Sequence, residues 1–276
     1  MNSLFNVLIT GGDGQVAQAI RQHPFSPHLN LTACTRTDLD ITLTASIDQA
    51  IEKFKPSVII NTAAFTAVDK AEQEKEKALL VNNTGALNLA LACKQHDIQL
   101  IHLSTDYIFD GEKSTGYQED DTPNPINIYG LSKWQGEEAI RNHCEKYFIL
   151  RVSGIFSAYG NNFYNTMQRL AKTQPEIRVV ADQVTCPTSA DDIASVLLAL
   201  ATKHEHFGTY HFCSTPPVSW HGFAETVLQK PIKAISTAEY PTAAKRPAYS
   251  VLNCHKIESV FGIKQPSWEH AIWELQ

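Results

Sequence analysis

The chain alternates short apolar runs with segments whose apolar residues recur at helical spacing. The first run, "FNVLIT", ends in "GGDGQ" and leads into a segment that carries Val16, Ala17 and Ile20 on one helix face. The same order recurs at "LNLTACT" before a helix near residues 46–54, at "PSVIIN" before a long helix through "KALLVNNTGALNLALACK", at "IQLIHLS" and at "YFILRVS". Apolar strands separated by helices indicate a parallel sheet that is covered on both faces. We therefore expect an α/β fold with a doubly wound, Rossmann-like sheet over residues 1–152.

The rhythm changes after residue 152. A helix to about residue 172, a strand at "EIRVVA", a helix from "SADDIA" and a strand at "GTYHF" are joined by Pro-rich connections. We expect a smaller substrate-binding region over residues 153–276, from which segments within about 189–213 return to the first domain. No flexible linker separates the two parts, so their interface is the expected place for a substrate.

The turn after the first strand has the composition of a dinucleotide-binding loop. Gly11 and Gly14 let the backbone turn sharply and approach a pyrophosphate, whose charge a helix N-terminus favours, and the small Ala17 allows close helix packing. A purely structural turn is the alternative. The position between a strand and a helix favours a bound dinucleotide.

The end of the second strand indicates which dinucleotide is bound. An NAD site usually carries an acidic residue there, whereas this chain offers Arg36, a partner for a 2′-phosphate. NADPH is therefore expected, with NADH possible. Asp40 and Ile41 would border the adenine, although a turn or capping role suits Asp40 equally. The predicted cofactor-binding residues are Gly11, Gly12, Asp13, Gly14, Gln15, Val16, Arg36, Asp40, Ile41, Ala63, Ala64, Phe65, Tyr129 and Lys133.

The segment "IYGLSKWQGEE" places Tyr129 and Lys133 four residues apart, on one face of a helix. An ordinary surface pair is the alternative reading. However, "HLSTDYIF" ends the fourth strand, and the carboxyl ends of parallel strands line the ligand crevice. Tyr129 would be the general acid, Lys133 would stabilise the phenolate, and Thr105, or else Ser104, would be a second donor to a carbonyl oxygen.

Composition excludes several other classes of protein. The 276 residues carry 43% hydrophobic and 19% charged residues and a net charge of -6, which gives no basic surface for nucleic acid or anionic membranes. Six scattered cysteines indicate reduced thiols, and no leader or membrane span is recognised, so we expect a cytoplasmic protein. His204 and His206 lack a third ligand, so we predict no metal site.

Several longer motifs resemble the extended short-chain dehydrogenase/reductase family, and within it the enzymes that reduce dTDP-linked 4-keto sugars. They are "GGDGQV", "AFTAVDKAE", "STDYIFDG", "YGLSKWQGE", "GNNF", "PTSADDIA" and "KRPAYSVLN", which span almost the whole chain. "FTAVDKAE" and "RPAYSVLN" are far more specific than the glycine loop, and they separate this branch from epimerases and dehydratases of the same fold.

The resemblance implies NAD(P)H-dependent reduction of the C4 ketone of a dTDP-4-keto-6-deoxy sugar, with dTDP-4-dehydro-L-rhamnose as the leading substrate and dTDP-L-rhamnose as product. It also implies that Thr105, Tyr129 and Lys133 act together and that Lys133 binds the nicotinamide ribose. Arg246 is a candidate for the dTDP pyrophosphate, with a surface arginine as the alternative. The predicted substrate-binding residues are Ser104, Thr105, Asp106, Gly154, Asn162 and Arg246.

Two segments depart from this branch and put the sugar in question. "LRVSGIF" has Val152 and Gly154 where the branch usually has threonine and a sugar-contacting tryptophan, and "DQVTCPT" places Thr185 and Cys186 beside the expected substrate. Either the pocket is open at Gly154, or Phe156, Tyr159 or Cys186 fills it.

Two alternative functions, the oligomeric state and the need for a metal therefore stay open at this stage. The chain could reduce another nucleotide 4-keto sugar, or act as a regulatory subunit like the beta subunit of methionine adenosyltransferase. Monomer and homodimer are both compatible with the sequence, as is a need for Mg²⁺, because some relatives dimerise around a metal.

Overall fold

Six parallel strands form the central sheet of the computed structural model, which describes residues 5–24 and 29–276. Strands β1, β2, β3, β4, β5 and β10 take part, in the spatial order β2-β1-β3-β4-β5-β10, and every neighbouring pair is parallel. The predicted doubly wound sheet is therefore confirmed. The strands of the described chain are β1 (Phe5–Thr10), β2 (Leu29–Cys34), β3 (Val58–Asn61), β4 (Gln99–Thr105), β5 (Tyr147–Val152), β6 (Ile155–Phe156), β7 (Arg178–Val180), β8 (Val184–Thr185), β9 (Thr188–Ser189), β10 (Gly208–His211), β11 (Val218–Ser219) and β12 (Lys233–Ile235).

Helices cover both faces of this sheet because the strands are apolar on both sides. In β1, Val7 and Ile9 pack into the hydrophobic cluster that contains α1 and α8, whereas Leu8 packs into the cluster that contains α2 and α5. The helices of the described chain are α1 (Gln15–Gln22), α2 (Thr44–Phe54), α3 (Val68–Ala71), α4 (Lys75–Leu79), α5 (Gly85–Gln95), α6 (Ile128–His143), α7 (Phe163–Thr173), α8 (Ala190–Ala201), α9 (Trp220–Leu228), α10 (His255–Phe261) and α11 (Trp268–Glu274). None of them is long and apolar enough to cross a membrane.

The long helix expected through "KALLVNNTGALNLALACK" contains a turn of π-helix, Leu80–Thr84, between α4 and α5. Helix α6 approaches this wider turn closely. A Cβ at Gly136 would overlap the carbonyl oxygen of Asn82. Apolar periodicity does not reveal a single extra residue in one turn, so the sequence predicted the helical segment but not its interruption.

The second region is built around its own hydrophobic cluster. Phe156, Tyr164, Phe223 and Trp268 form the centre of this cluster, which joins β6, α7, α9 and α11. The strand expected at "GTYHF" is β10, and it pairs with β5 at the edge of the central sheet. The division of the chain into domains near residue 152 stays a prediction.

A buried ion pair fixes α6 to the sheet. Glu137, fully buried, accepts hydrogen bonds from Arg151 of β5 at 2.8 and 3.0 Å and from the Ser104 hydroxyl of β4 at 2.5 Å. Burial raises the pKa of Glu137, but the charges of Arg151 and Arg141 outweigh burial and hold it well below its usual range. The carboxylate is therefore charged at neutral pH and anchors the helix.

We predict that Glu137→Gln lowers the free energy of unfolding by about 3–5 kcal/mol at pH 7, because Arg151 would stay buried without its counter-charge. The matched control is Glu138→Gln, which removes the neighbouring, more exposed carboxylate and should cost under about 1 kcal/mol. Because the pKa of Glu137 is lowered to about 2 in the folded state, its contribution is complete above the pKa of the unfolded chain and is lost progressively as the pH falls from there through about 2. Urea unfolding of both variants at pH 7 and at pH 4 measures these differences. Equal losses at pH 7 would contradict this account.

Candidate active site

The glycine turn after β1 brings the backbone close to β3. Gly11 has φ of +70°, and a Cβ there would lie 2.8 Å from the Cα of Ala63, so a side chain is excluded at this position. Gly14 caps α1 and donates its N–H to the Gly11 carbonyl at 2.8 Å. An open backbone at the N-terminus of a buried helix suits a pyrophosphate.

A cavity of about 460 Å³ opens at this turn. It contains all of the predicted cofactor-binding residues except Gly12, Tyr129 and Lys133, and their binding role stays a prediction. Gly12 is buried and donates its N–H to the Cys34 carbonyl at 2.8 Å, so it holds β1 against β2. The cavity has further lining residues that sequence reasoning did not select: Leu39, Thr42, Thr62, Thr66, Lys77, Val81, Leu103, Ile155, Gly160 and Asn161.

The cavity wall after β3 is fixed by the π-helical turn. The Asn82 side chain accepts from the N–H of Phe65 at 2.8 Å, and it donates to the Phe65 carbonyl at 3.1 Å and to the Ser132 hydroxyl at 2.9 Å. One asparagine therefore connects the cavity wall to α6. Its position in the "NN" of a helical segment gave no signal in the sequence beyond the low helix propensity of asparagine.

Tyr129 and Thr105 meet at the carboxyl end of β4. The Thr105 hydroxyl donates to the Asp106 carboxylate at 3.1 Å. Burial raises the pKa of Tyr129 to about 12, although the nearby Thr105 hydroxyl acts in the opposite direction. Burial likewise raises the pKa of Asp106 to about 6, and Ser153 donates to this carboxylate at 2.9 Å. The phenol is therefore protonated at neutral pH.

Lys133 is directed beneath the site. Its Nζ lies 2.6 Å from the Leu103 carbonyl oxygen and 3.1 Å from Nε2 of His102, and the side chain is only 2% exposed. Burial lowers the pKa of Lys133 to about 8, and the Glu137 carboxylate opposes this shift. The sequence predicted that Lys133 eases proton loss from Tyr129, but in this structure the lysine is engaged elsewhere and the pKa of the phenol is raised. Leu103 lines the cavity, so Lys133 lies directly behind its wall.

Comparison with known proteins shows which family this chain belongs to. The family model described as RmlD substrate binding domain matches residues 5–275. The chain belongs to this family. A dTDP-4-dehydrorhamnose reductase of Aggregatibacter actinomycetemcomitans is 43% identical over 287 residues, which cover 98% of each chain. A second reductase of that name, from Sinorhizobium fredii, is 40% identical and covers 97% of this chain and 96% of its own. The crystal structure of dTDP-4-dehydrorhamnose reductase from Bacillus anthracis in complex with NADP superposes with a TM-score of 0.94, at 36% identity and 98% coverage of each chain.

Three candidate substrate residues of this RmlD family member have other partners in the structure. Ser104 donates to the buried Glu137, Asn162 caps α7 and holds the loop before it through the Ser157 and Tyr159 carbonyls, and Arg246 forks onto Asp69. Glu137 and Asp69 lie far from Ser104 and Arg246 in the sequence, so local patterns could not identify these partners. The residues shortly before Asn162 that line the cavity are Gly160 and Asn161.

Gly154 does not leave an open space. It has φ of +53°, and a Cβ there would lie 3.1 Å from the Cα of Pro187 and 3.3 Å from Cη2 of the Trp220 indole. Pro187 and the Trp220 indole therefore adjoin Gly154, and the space directly beside its Cα is not open. That Phe156, Tyr159 or Cys186 shapes the sugar pocket stays a prediction. Trp220 comes from α9, 66 positions further along the chain, so sequence adjacency could not identify it.

The second departure from the family is also buried. The Thr185 hydroxyl lies 2.5 Å from Ser153 Oγ and 3.3 Å from Ser250 Oγ, and Cys186 is 1% exposed within the main core cluster. Both side chains are buried, and Thr185 adjoins the Ser153 hydroxyl that donates to Asp106. Within the described residues, no group of three or more His, Cys, Asp and Glu side chains is arranged to hold a metal ion.

We predict that Gly154→Trp abolishes reduction of every nucleotide keto sugar, because position 154 has left-handed backbone geometry and the Trp220 ring adjoins it. The informative comparison is the double variant Gly154→Trp with Trp220→Ala, which removes the clash and should recover part of kcat/KM. Trp220→Ala alone is the matched control. Full activity in the Gly154→Trp single variant would show that the space is free after all.

Proposed function

We propose that this chain reduces the C4 ketone of dTDP-4-dehydro-L-rhamnose with NADPH and forms dTDP-L-rhamnose. The observation that carries the proposal is that Tyr129 lies near Thr105 at the carboxyl end of β4, whose Leu103 lines the cavity of the glycine turn. The names of the full-length relatives and the NADP complex of one of them support the same reaction. Reduction of a different nucleotide 4-keto sugar remains the second candidate, because Gly154 and Trp220 alter the region where relatives carry a tryptophan.

The protein's side chains would supply the proton. NADPH, when bound, supplies a hydride. Negative charge then develops on the C4 oxygen, and a protonated phenol within hydrogen-bonding distance can neutralise it. The raised pKa of Tyr129 suits this order, because the phenol keeps its proton until a stronger base appears. Thr105 would hold the same oxygen from a second direction, provided that its hydroxyl turns away from Asp106.

Arg36 supports NADPH as the cofactor. It lines the cavity just after β2, its side chain is 70% exposed, and its single ion pair among the described residues is with Asp40 at 3.2 Å. An exposed guanidinium held by one carboxylate can turn its free edge toward a 2′-phosphate. Asp40 would then orient the arginine, and it would also repel a phosphate that approached without it.

Arg246 stays a candidate for the pyrophosphate of the substrate. It now makes a bidentate ion pair with Asp69, with Nη2 2.6 Å from Oδ2. A substrate phosphate would have to compete with this carboxylate or share the guanidinium with it. We further infer a cytoplasmic protein, monomeric or homodimeric, without a nucleic-acid partner; the net charge of -6 supports the last point.

Tyr129→Phe is expected to keep the fold and cofactor affinity but to lower kcat by about a hundredfold or more, because the variant lacks the acidic proton. The matched control is Tyr107→Phe, whose ring lies edge-on to Tyr129 with centroids 5.9 Å apart. Steady NADPH oxidation with dTDP-4-dehydro-L-rhamnose is the assay. Wild-type turnover in Tyr129→Phe would remove this residue from the mechanism. If the wild-type protein turns over a different nucleotide 4-keto sugar, the second candidate is supported, and no turnover of any of them would indicate a regulatory subunit.

Arg36→Ala should weaken binding of NADPH much more than binding of NADH, since only NADPH carries the 2′-phosphate. Asp40→Asn removes the carboxylate that pairs with Arg36. Because this carboxylate would repel the 2′-phosphate, its loss should leave the affinity for NADPH equal or higher. Fluorescence titration of each variant with both cofactors measures the four dissociation constants. Equal losses for the two cofactors in Arg36→Ala would show that this residue does not recognise the phosphate.

A further inference from the structure

A chain of buried polar side chains runs beneath the site, from β1 to α6. The Thr10 hydroxyl donates to Oδ1 of Asn61 at 2.6 Å, Nδ2 of Asn61 lies 2.9 Å from Nδ1 of His102, and Nε2 of His102 lies 3.1 Å from Nζ of Lys133. All four side chains are at most 2% exposed. Because these side chains are shielded from water, each hydrogen-bond donor among them needs an acceptor within the protein.

The orientation of Asn61 is fixed by its surroundings. The N–H of Ala63, which can only donate, lies 3.2 Å from Oδ1 of Asn61, and the Thr10 hydroxyl donates to the same oxygen. The amide nitrogen of Asn61 therefore faces the His102 ring and donates to it. Since a ring nitrogen that receives a hydrogen bond carries no hydrogen, Nδ1 of His102 is the acceptor.

His102 is uncharged. Burial and the nearby Lys133 hold its pKa well below the usual range, and a charged ring would set an Nδ1 hydrogen against the Asn61 amide. A neutral imidazole with an unprotonated Nδ1 carries its hydrogen on Nε2. That hydrogen points at Lys133.

An ammonium group has three donors and no acceptor, so it would face the Nε2 hydrogen of His102 as a second donor. An uncharged amine avoids this conflict, because its lone pair accepts from His102 while one N–H donates to the Leu103 carbonyl at 2.6 Å. We propose that in the cofactor-free protein His102 donates to an uncharged Lys133 amine, and that His102 is thereby the positioning residue that sets the charge of this lysine. The inference extends the proposed function. The catalytic role of Lys133 rests on that function, whereas the hydrogen bond from His102 does not.

The charges around Lys133 act in opposite directions. Glu137 lies one helical turn further along α6 and favours the ammonium, but its carboxylate is already paired with Arg151 and Arg141. Tyr129, one turn earlier, is protonated and contributes no charge. Burial lowers the pKa of Lys133 to about 8, and a hydrogen bond donated by Nε2 of His102 on β4 lowers it further, so that the amine is uncharged at neutral pH. An uncharged lysine also fits the start of the proposed reaction, because the phenol of Tyr129 keeps its proton.

The tautomer of His102 can be observed directly in the free protein. Long-range ¹H–¹⁵N spectra of protein labelled with ¹⁵N-histidine distinguish protonated from unprotonated ring nitrogens, and His102→Gln identifies the signal. We expect an unprotonated Nδ1 and a protonated Nε2 at neutral pH. A hydrogen on Nδ1, or a charged ring, would overturn the proposal.

The second measurement is the titration of Lys133 by NMR of lysine labelled at Cε, with Lys133→Arg to identify its signal. His102→Gln can turn its carbonyl oxygen toward the lysine, so the midpoint should rise by at least about one pH unit. The matched control, His143→Gln, replaces an exposed histidine at the end of α6 and should leave the midpoint unchanged. A midpoint in His102→Gln that is unchanged or lower would contradict donation by His102.

If His102→Gln does not fold, the wild-type protein still decides: a lysine midpoint above about 7 would leave the ammonium in place at neutral pH and overturn the proposal, and a midpoint below about 7 would support it. All of these spectra need neither cofactor nor sugar. Failure of the proposed reaction, which NADPH oxidation reports, is therefore distinguishable from failure of this inference.

Discussion

One side of helix α6 meets strand β4 at three successive turns, through Tyr129, Lys133 and Glu137. Glu137 accepts from Ser104, Lys133 donates to the Leu103 carbonyl, and Tyr129 lies near Thr105. The spacing of four residues brings these side chains onto one stripe of the helix. The position of the phenol beside the end of β4 therefore depends on a contact made two turns away, where the buried carboxylate holds α6 to the sheet.

Burial has two consequences in this contact. It is costly for Glu137, whose charge is retained only because Arg151 and Arg141 surround it. The same dry environment raises the pKa of Tyr129 and lowers that of Lys133. Glu137, which holds the helix to the sheet, is thus charged, whereas Tyr129 and Lys133 carry little charge. A phenol that holds its proton until the hydride arrives is suited to a reaction that creates negative charge on a substrate oxygen.

The sequence predicted the parts of the molecule that follow from local patterns. Apolar runs identified the strands of the sheet, and the strand-turn-helix position of Gly11 and Gly14 identified the cavity. The tertiary partners were not predictable in this way. His102 beneath Lys133, Asn82 behind Phe65 and Trp220 beside Gly154 each join segments that are distant in the sequence. Periodicity fixes which face a residue occupies, but not which side chain from another segment arrives there.

The central claim is that Tyr129 and Thr105 together hold the oxygen that is reduced. A crystal structure of the protein with NADP⁺ and dTDP-L-rhamnose tests it most directly. The account predicts that the C4 hydroxyl oxygen lies within about 2.6–3.2 Å of both the Tyr129 and the Thr105 hydroxyl oxygens, with the nicotinamide ring facing C4. A sugar bound with its C4 oxygen turned away from Tyr129, while the nicotinamide still faces C4, would contradict the account.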